Sequence, residues 1–130
     1  MSYCRWSNND YECDIYAFAS VYGTYEVWVA ENKYVSDEAK PRSMAFPVPG
    51  DDEGMKAWFK RNQELNEWIS KARKEPIGLP CDGVQFSLMT PGDAADKMEE
   101  LKAMGYNVPE YAIVVLREEQ EEQDKEKQNG

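Results

Sequence analysis

The sequence predicts an α+β fold: an N-terminal antiparallel β-hairpin or small three-stranded sheet packed on a long helix and a C-terminal helix pair. Three observations predict it. Side chains alternate with period two through Tyr11–Ala30, and apolar residues recur every three or four positions from Met55 to Ala72. Thr90-Pro91 and Gly105 are the residue types that start and stop a helix.

In the first run, Cys13, Ile15, Ala17, Ala19 and Val21 alternate with Asp14, Tyr16, Phe18, Ser20 and Tyr22. After Gly23 the pattern resumes with Tyr25, Val27 and Val29 against Glu26 and Trp28. The pair reads as a hairpin turning at Tyr22-Gly23. Both faces carry bulk, so we expect helices on the small aliphatic face, and a loop, partner or ligand on the face of Tyr16, Phe18, Tyr22 and Trp28. Pro41, Pro47 and Pro49 interrupt the next segment, where Met44–Val48 offers a short edge strand. Asp51, Asp52 and Glu53 place caps and negative charge at the start of a helix that we expect to reach Lys74, before Pro76 and Gly78. Its basic side, Lys56, Lys60, Arg61, Lys71, Arg73 and Lys74, reads as a solvated face or an anion-binding one. A second helix runs from Thr90-Pro91 to Met104, closed by a left-handed Gly105, and Pro109 opens a third, with Tyr106 and Val108 stapling the two. The expected core contains Ile15, Val27, Val29, Trp58, Phe59, Trp68, Leu101 and Val115. We place a single α+β domain at residues 1–116 and an acidic helical extension with a disordered tail at 117–130.

With 130 residues the chain can build a core unaided by metal or disulfide. Leu, Ile, Val and Phe supply only 22 residues, a disorder-like proportion, but 4 Trp and 8 Tyr restore enough apolar surface to fold. The formal charge is −10 and there is no His, which removes the commonest general base and every imidazole triad. No phosphate loop or dinucleotide glycine run is present, and an acidic chain without a basic stripe repels nucleic acid, so no direct nucleic-acid binding is expected. Nor does any stretch have the length and apolarity of a membrane span, and no signal-peptide core opens the chain. Cys4, Cys13 and Cys81, an odd number without paired zinc spacing, read as free thiols of a reducing compartment. A zinc site would need Asp14 or Asp82 as fourth ligand. Cys81 has no evident base or positive neighbour to activate it. We therefore expect no enzyme, no catalytic residue, no metal and no cofactor.

Two features remain as candidate binding elements. Eight aromatic residues fall within the first 28 positions, and Tyr and Trp are the types enriched at interface hot spots. Asp51, Asp52 and Glu53 form an acidic knot that suits either capping or contact with a basic partner. The candidate site is Tyr16, Phe18, Tyr22, Trp28, Asp51, Asp52 and Glu53.

The opening Ser2-Tyr3-Cys4-Arg5-Trp6-Ser7 and Cys13-Asp14-Ile15-Tyr16, together with Leu79-Pro80, Gly83, Phe86, Leu101 and Gly105-Tyr106-Asn107-Val108-Pro109-Glu110-Tyr111, resemble a family of small bacteriophage and prophage proteins. The resemblance covers both ends of the chain and not its middle. It implies an origin, and brings no activity or site residue with it. We expect an acidic phage accessory protein, in the cytoplasm of the infected bacterial host, that binds and modulates a host protein with a basic surface. An anti-defence inhibitor whose carboxylates mimic phosphates is one form of this. The alternatives are a self-associating assembly protein, hence a homo-oligomer, and an aromatic pocket that sequesters a small molecule.

Overall fold

The computed structural model describes residues 2–129; Met1 and Gly130, the outer ends of the predicted domain and tail, lie outside the described residues. In chain order the elements are β1 (Ser2–Cys4), α1 (Asn8–Tyr11), β2 (Ile15–Ala19), β3 (Tyr25–Val29), β4 (Asn32–Val35), α2 (Asp52–Lys71), β5 (Arg73–Pro76), β6 (Gln85–Leu88), α3 (Pro91–Met104) and α4 (Glu110–Asn129). They fall into two compact units, Met1–Lys33 with Pro76–Gly130, and Tyr34–Glu75. The class is α+β, as the sequence predicts, and α4 belongs to the first unit across the expected boundary at residue 116.

The first unit is built on an antiparallel sheet of order β1-β2-β3-β6. Its centre is the predicted hairpin: Ile15 pairs with Val29 and Ala19 with Tyr25, while the Ser20 amide donates to the Thr24 carbonyl at 2.8 Å. Gly23 sits at φ 85°, a left-handed conformation that a Cβ would penalise. Met44–Val48 forms no strand. The added strands are β1, and β6, whose Gln85-Phe86-Ser87-Leu88 alternates for too few residues to stand out in the sequence.

α3 packs on β3 and β6, α4 on β1, and the two helices pack on each other. Ile15, Ala17, Val27 and Val29 from the aliphatic sheet face meet Ala94, Ala95, Met98, Leu101, Ala112, Ile113 and Leu116 in one core. Burying each large aliphatic side chain there contributes roughly 1.5–3 kcal/mol. The ends of α3 are those read from sequence: Thr90 Oγ1 accepts from the Asp93 amide at 3.1 Å, Pro91 occupies the first turn, and Gly105 closes the helix at φ 112°.

Within the first unit the sheet's partners are α3 and α4. α2 belongs to the second unit. Asp51 caps it as expected, its Oδ1 accepting from the Gly54 amide at 2.9 Å. The helix stops at Lys71 because Ala72 turns to extended backbone and the next residues form β5 beside β4. Leu65 is the buried residue of α2; Trp58 and Trp68 are half-buried and Phe59 is 59 % exposed, so the core role expected of these three aromatics is not met. Their surroundings are local: Phe46 and Trp58 stack edge to face at 5.0 Å, and Trp68 Nε1 donates to the Glu38 carbonyl at 3.0 Å. Val115 is half-buried.

The expected helical extension from residue 117 is part of α4. α4 runs as one helix through Asn129. Tyr3 Oη donates to Glu119 Oε2 at 2.6 Å, the Gly92 amide donates to Gln120 Oε1 at 3.0 Å, and Gln123 Nε2 donates to Tyr25 Oη at 3.0 Å. Each partner lies at least 28 residues away in sequence, beyond the reach of a local pattern.

Candidate functional site

The face of the sheet opposite α3 and α4 carries a cluster of four rings. Cross-strand pairing sets Tyr16 beside Trp28 and Phe18 beside Glu26, which puts three rings and one carboxylate on the same side. Trp6, from the turn after β1, adds the fourth. Ring centroids are 5.4 Å apart for Trp6–Tyr16, 5.1 Å for Tyr16–Phe18, 6.3 Å for Tyr16–Trp28 and 5.1 Å for Phe18–Trp28. These separations are those of tilted and edge-to-face aromatic contacts. Tyr16, Phe18 and Trp28 are half-buried and Trp6 is 42 % exposed. The polar neighbours on β6 are Gln85 opposite Trp28 and Ser87 opposite Glu26.

Glu26 is the residue that sequence reading missed. Its Oε2 is buried and has no hydrogen-bond partner among the described residues. That oxygen has lost hydration without a replacement donor, and Glu26, itself half-buried, shares its sheet face with rings whose π-systems carry negative faces. Both groups favour a cation with N–H donors, such as guanidinium or ammonium. The signal was present in the period of the strand, since Glu26 shares its parity with Trp28, but only the register of β2 against β3 places it opposite Phe18.

Tyr22 does not join this cluster. Tyr22 stands at the hairpin tip, 91 % exposed, without a ring contact among the described residues. Asp51, Asp52 and Glu53 belong to the second unit and start α2, with Asp51 engaged as its cap. The charge is divided unevenly. Tyr34–Glu75 holds 8 basic and 8 acidic residues, leaving 7 basic and 17 acidic on the unit that carries the rings, so the whole net charge of −10 resides there.

The two acids weighed as zinc ligands have structural roles. Asp14 is buried; its Oδ2 accepts from the Asn107 amide at 2.7 Å, and burial raises its pKa. Asp82 accepts from the Gly78 amide at 2.7 Å and from Tyr106 Oη at 2.8 Å. Among the described residues no group of three or more metal-ligating side chains converges, and no helix is long and apolar enough to cross a membrane. Cys81 is half-buried, its Sγ 3.8 Å from Met104 Sδ. Cys4 and Cys13 are buried.

No family model, curated protein or solved structure matches the chain.

Proposed function

We propose that this is a small acidic phage accessory protein that binds and modulates a host protein in the cytoplasm of the infected bacterium, using the aromatic face of its sheet to take a basic side chain of the partner. One observation carries the proposal: Glu26, with an unpartnered buried carboxylate oxygen, lies on the same sheet face as Tyr16, Phe18 and Trp28. A partner Arg or Lys stacks on a ring and the half-buried Glu26 side chain turns to accept from it, giving the unpartnered oxygen a donor; a desolvated cation–π contact is worth roughly 2 kcal/mol. The charge of −10 around it steers a basic surface inward and opposes the approach of a second copy, which favours a foreign partner over self-assembly.

The test is affinity capture from host lysate with wild type, Trp28→Ala and Glu26→Gln, at low and high salt. A basic protein retained by wild type at low salt, and lost in both variants, is the expected result. Capture that is indifferent to both substitutions and to salt would overturn the proposal. Asp52→Lys/Glu53→Lys tests the acidic knot without removing the Asp51 cap; it changes the net charge from −10 to −6, so it should slow capture at low salt without abolishing it.

A further inference from the structure

A second cluster lies on the other side of β2. The register between β1 and β2 shifts between Ser2 and Cys4, so that Tyr3 and Cys4 both turn inward and both are buried. Cys13 enters from the segment after α1, whose last two residues, Asp10 and Tyr11, adopt φ of 55° and 66°. The two thiols meet at one acceptor. Cys4 Sγ lies 3.4 Å and Cys13 Sγ 3.2 Å from the carbonyl oxygen of Ile15, so the sulfurs are near neighbours. Cys13 also lines an open cleft of about 450 Å³ with Asn8, Asn107, Val108, Pro109 and Tyr111. That volume is within the range of roughly 300–1,000 Å³ typical of small-ligand clefts.

We propose that Cys4 and Cys13 are a reactive thiol pair, which a small disulfide of the glutathione type enters the cleft to oxidise, leaving a Cys4–Cys13 disulfide. The roles follow from the contact between the thiols. Contact with the Cys4 thiol lowers the Cys13 pKa, while the same contact and burial push the Cys4 thiol up, and Cys13 is the member of the pair that lines the cleft. Cys13 sulfur attacks one sulfur of the small disulfide; that S–S bond breaks and the first small thiol leaves with the proton given up by Cys13. Cys4 sulfur then attacks Cys13 sulfur, the mixed disulfide breaks, and the second small thiol leaves with the Cys4 proton. Two protein thiols are oxidised and one small disulfide is reduced to two thiols. The product closes a short loop, ties edge strand β1 to the segment before β2, and leaves the aromatic face untouched.

The experiment uses full-length Cys81→Ser protein, oxidised glutathione at neutral pH, trapping by alkylation, and mass spectrometry. Trypsin cuts after Arg5, so the expected bond joins two separate peptides, with loss of two hydrogen atoms from the intact mass and reversal by dithiothreitol. Cys4→Ser should stop at a mixed disulfide on Cys13, and Cys13→Ser should leave Cys4 unreacted. Both thiols staying free in the folded protein while the denatured protein oxidises would overturn the proposal; so would a mixed disulfide on Cys13 that persists with Cys4 intact. The Cys81→Ser protein alone decides the matter where a second substitution prevents folding.

Discussion

Tyr106 carries more of the structure than its place in a connection suggests. Its buried phenol accepts from the Cys81 amide at 2.8 Å and donates to Asp82 Oδ1 at 2.8 Å, while Asp82 also holds the Gly78 amide. One side chain thereby fixes the turn that leads into β6. Burial first, and the Asp82 hydrogen bond second, push its pKa up to about 12 from an ordinary 10.0. A folded-state value above the unfolded one means that this phenol supports the fold fully below pH 10 and loses that support as pH rises through about 12. Tyr106→Phe should cost about 1–3 kcal/mol at neutral pH, because it strands the partners of a buried hydroxyl. The same variant should lose stability less steeply with alkaline pH; urea denaturation across that range checks both. The sequence marks Tyr106 as a helix staple, and it is buried, but its bond to Asp82 spans 24 residues and has no local signature. Asp14 and Asp82 invite a metal reading because a carboxylate that serves a backbone amide, the distant one of Asn107 for Asp14 and the nearby one of Gly78 for Asp82, looks like a ligand in sequence.

Elements were legible where periodicity was long or punctuation strong. The hairpin from Ile15 to Val29 and the helix from Pro91 to Met104 follow from alternation, a threonine cap and a terminal glycine. Strands of three or four residues, such as β1 and β6, fall below what alternation resolves, and they complete the sheet only through their neighbours. α2 is amphipathic, but amphipathicity names a face and not the residues that cover it. α4 is the opposite case. Its composition reads as a solvated extension, but Glu119, Gln120 and Gln123 dock on the sheet and on α3, and Arg117 bridges to Asp96 at 3.2 Å and Glu99 at 2.7 Å. The exposed ion pairs are worth little, roughly 0–1 kcal/mol, so the hydrogen bonds of the polar residues decide. A chain ending after Gln123 should melt near the wild-type temperature, whereas one ending after Leu116 should lose about 2–4 kcal/mol from the missing hydrogen bonds. Equal melting of the two truncations would mean that residues 117–123 are not docked.

At the scale of the whole molecule, charge and connectivity separate along the same boundary. The chain leaves the first unit after Lys33 and returns at Pro76, and just inside those points the Ile77 amide donates to the Glu31 carbonyl at 3.3 Å. Exit and return are therefore neighbours, and Tyr34–Glu75 is an insertion whose removal opens only a short gap. Closing such a gap costs little, since loop-closure entropy changes by only about 0.6 kcal/mol for each doubling of loop length. The core of the first unit, from Tyr3 to Leu116, contains no residue of the insertion. Replacing Tyr34–Glu75 with a short Gly-Ser linker should accordingly leave a cooperatively folding protein with the helix signal of α3 and α4. The insertion is electrically neutral, so the deletion keeps the full −10 and the ring cluster. If the aromatic face and its surrounding charge make the contact, binding of the captured partner should retain the wild-type salt dependence as the Debye length falls from about 10 Å at about 0.1 M to about 3 Å at about 1 M. A deletion protein that folds and no longer binds would move the contact to the insertion and its α2 face.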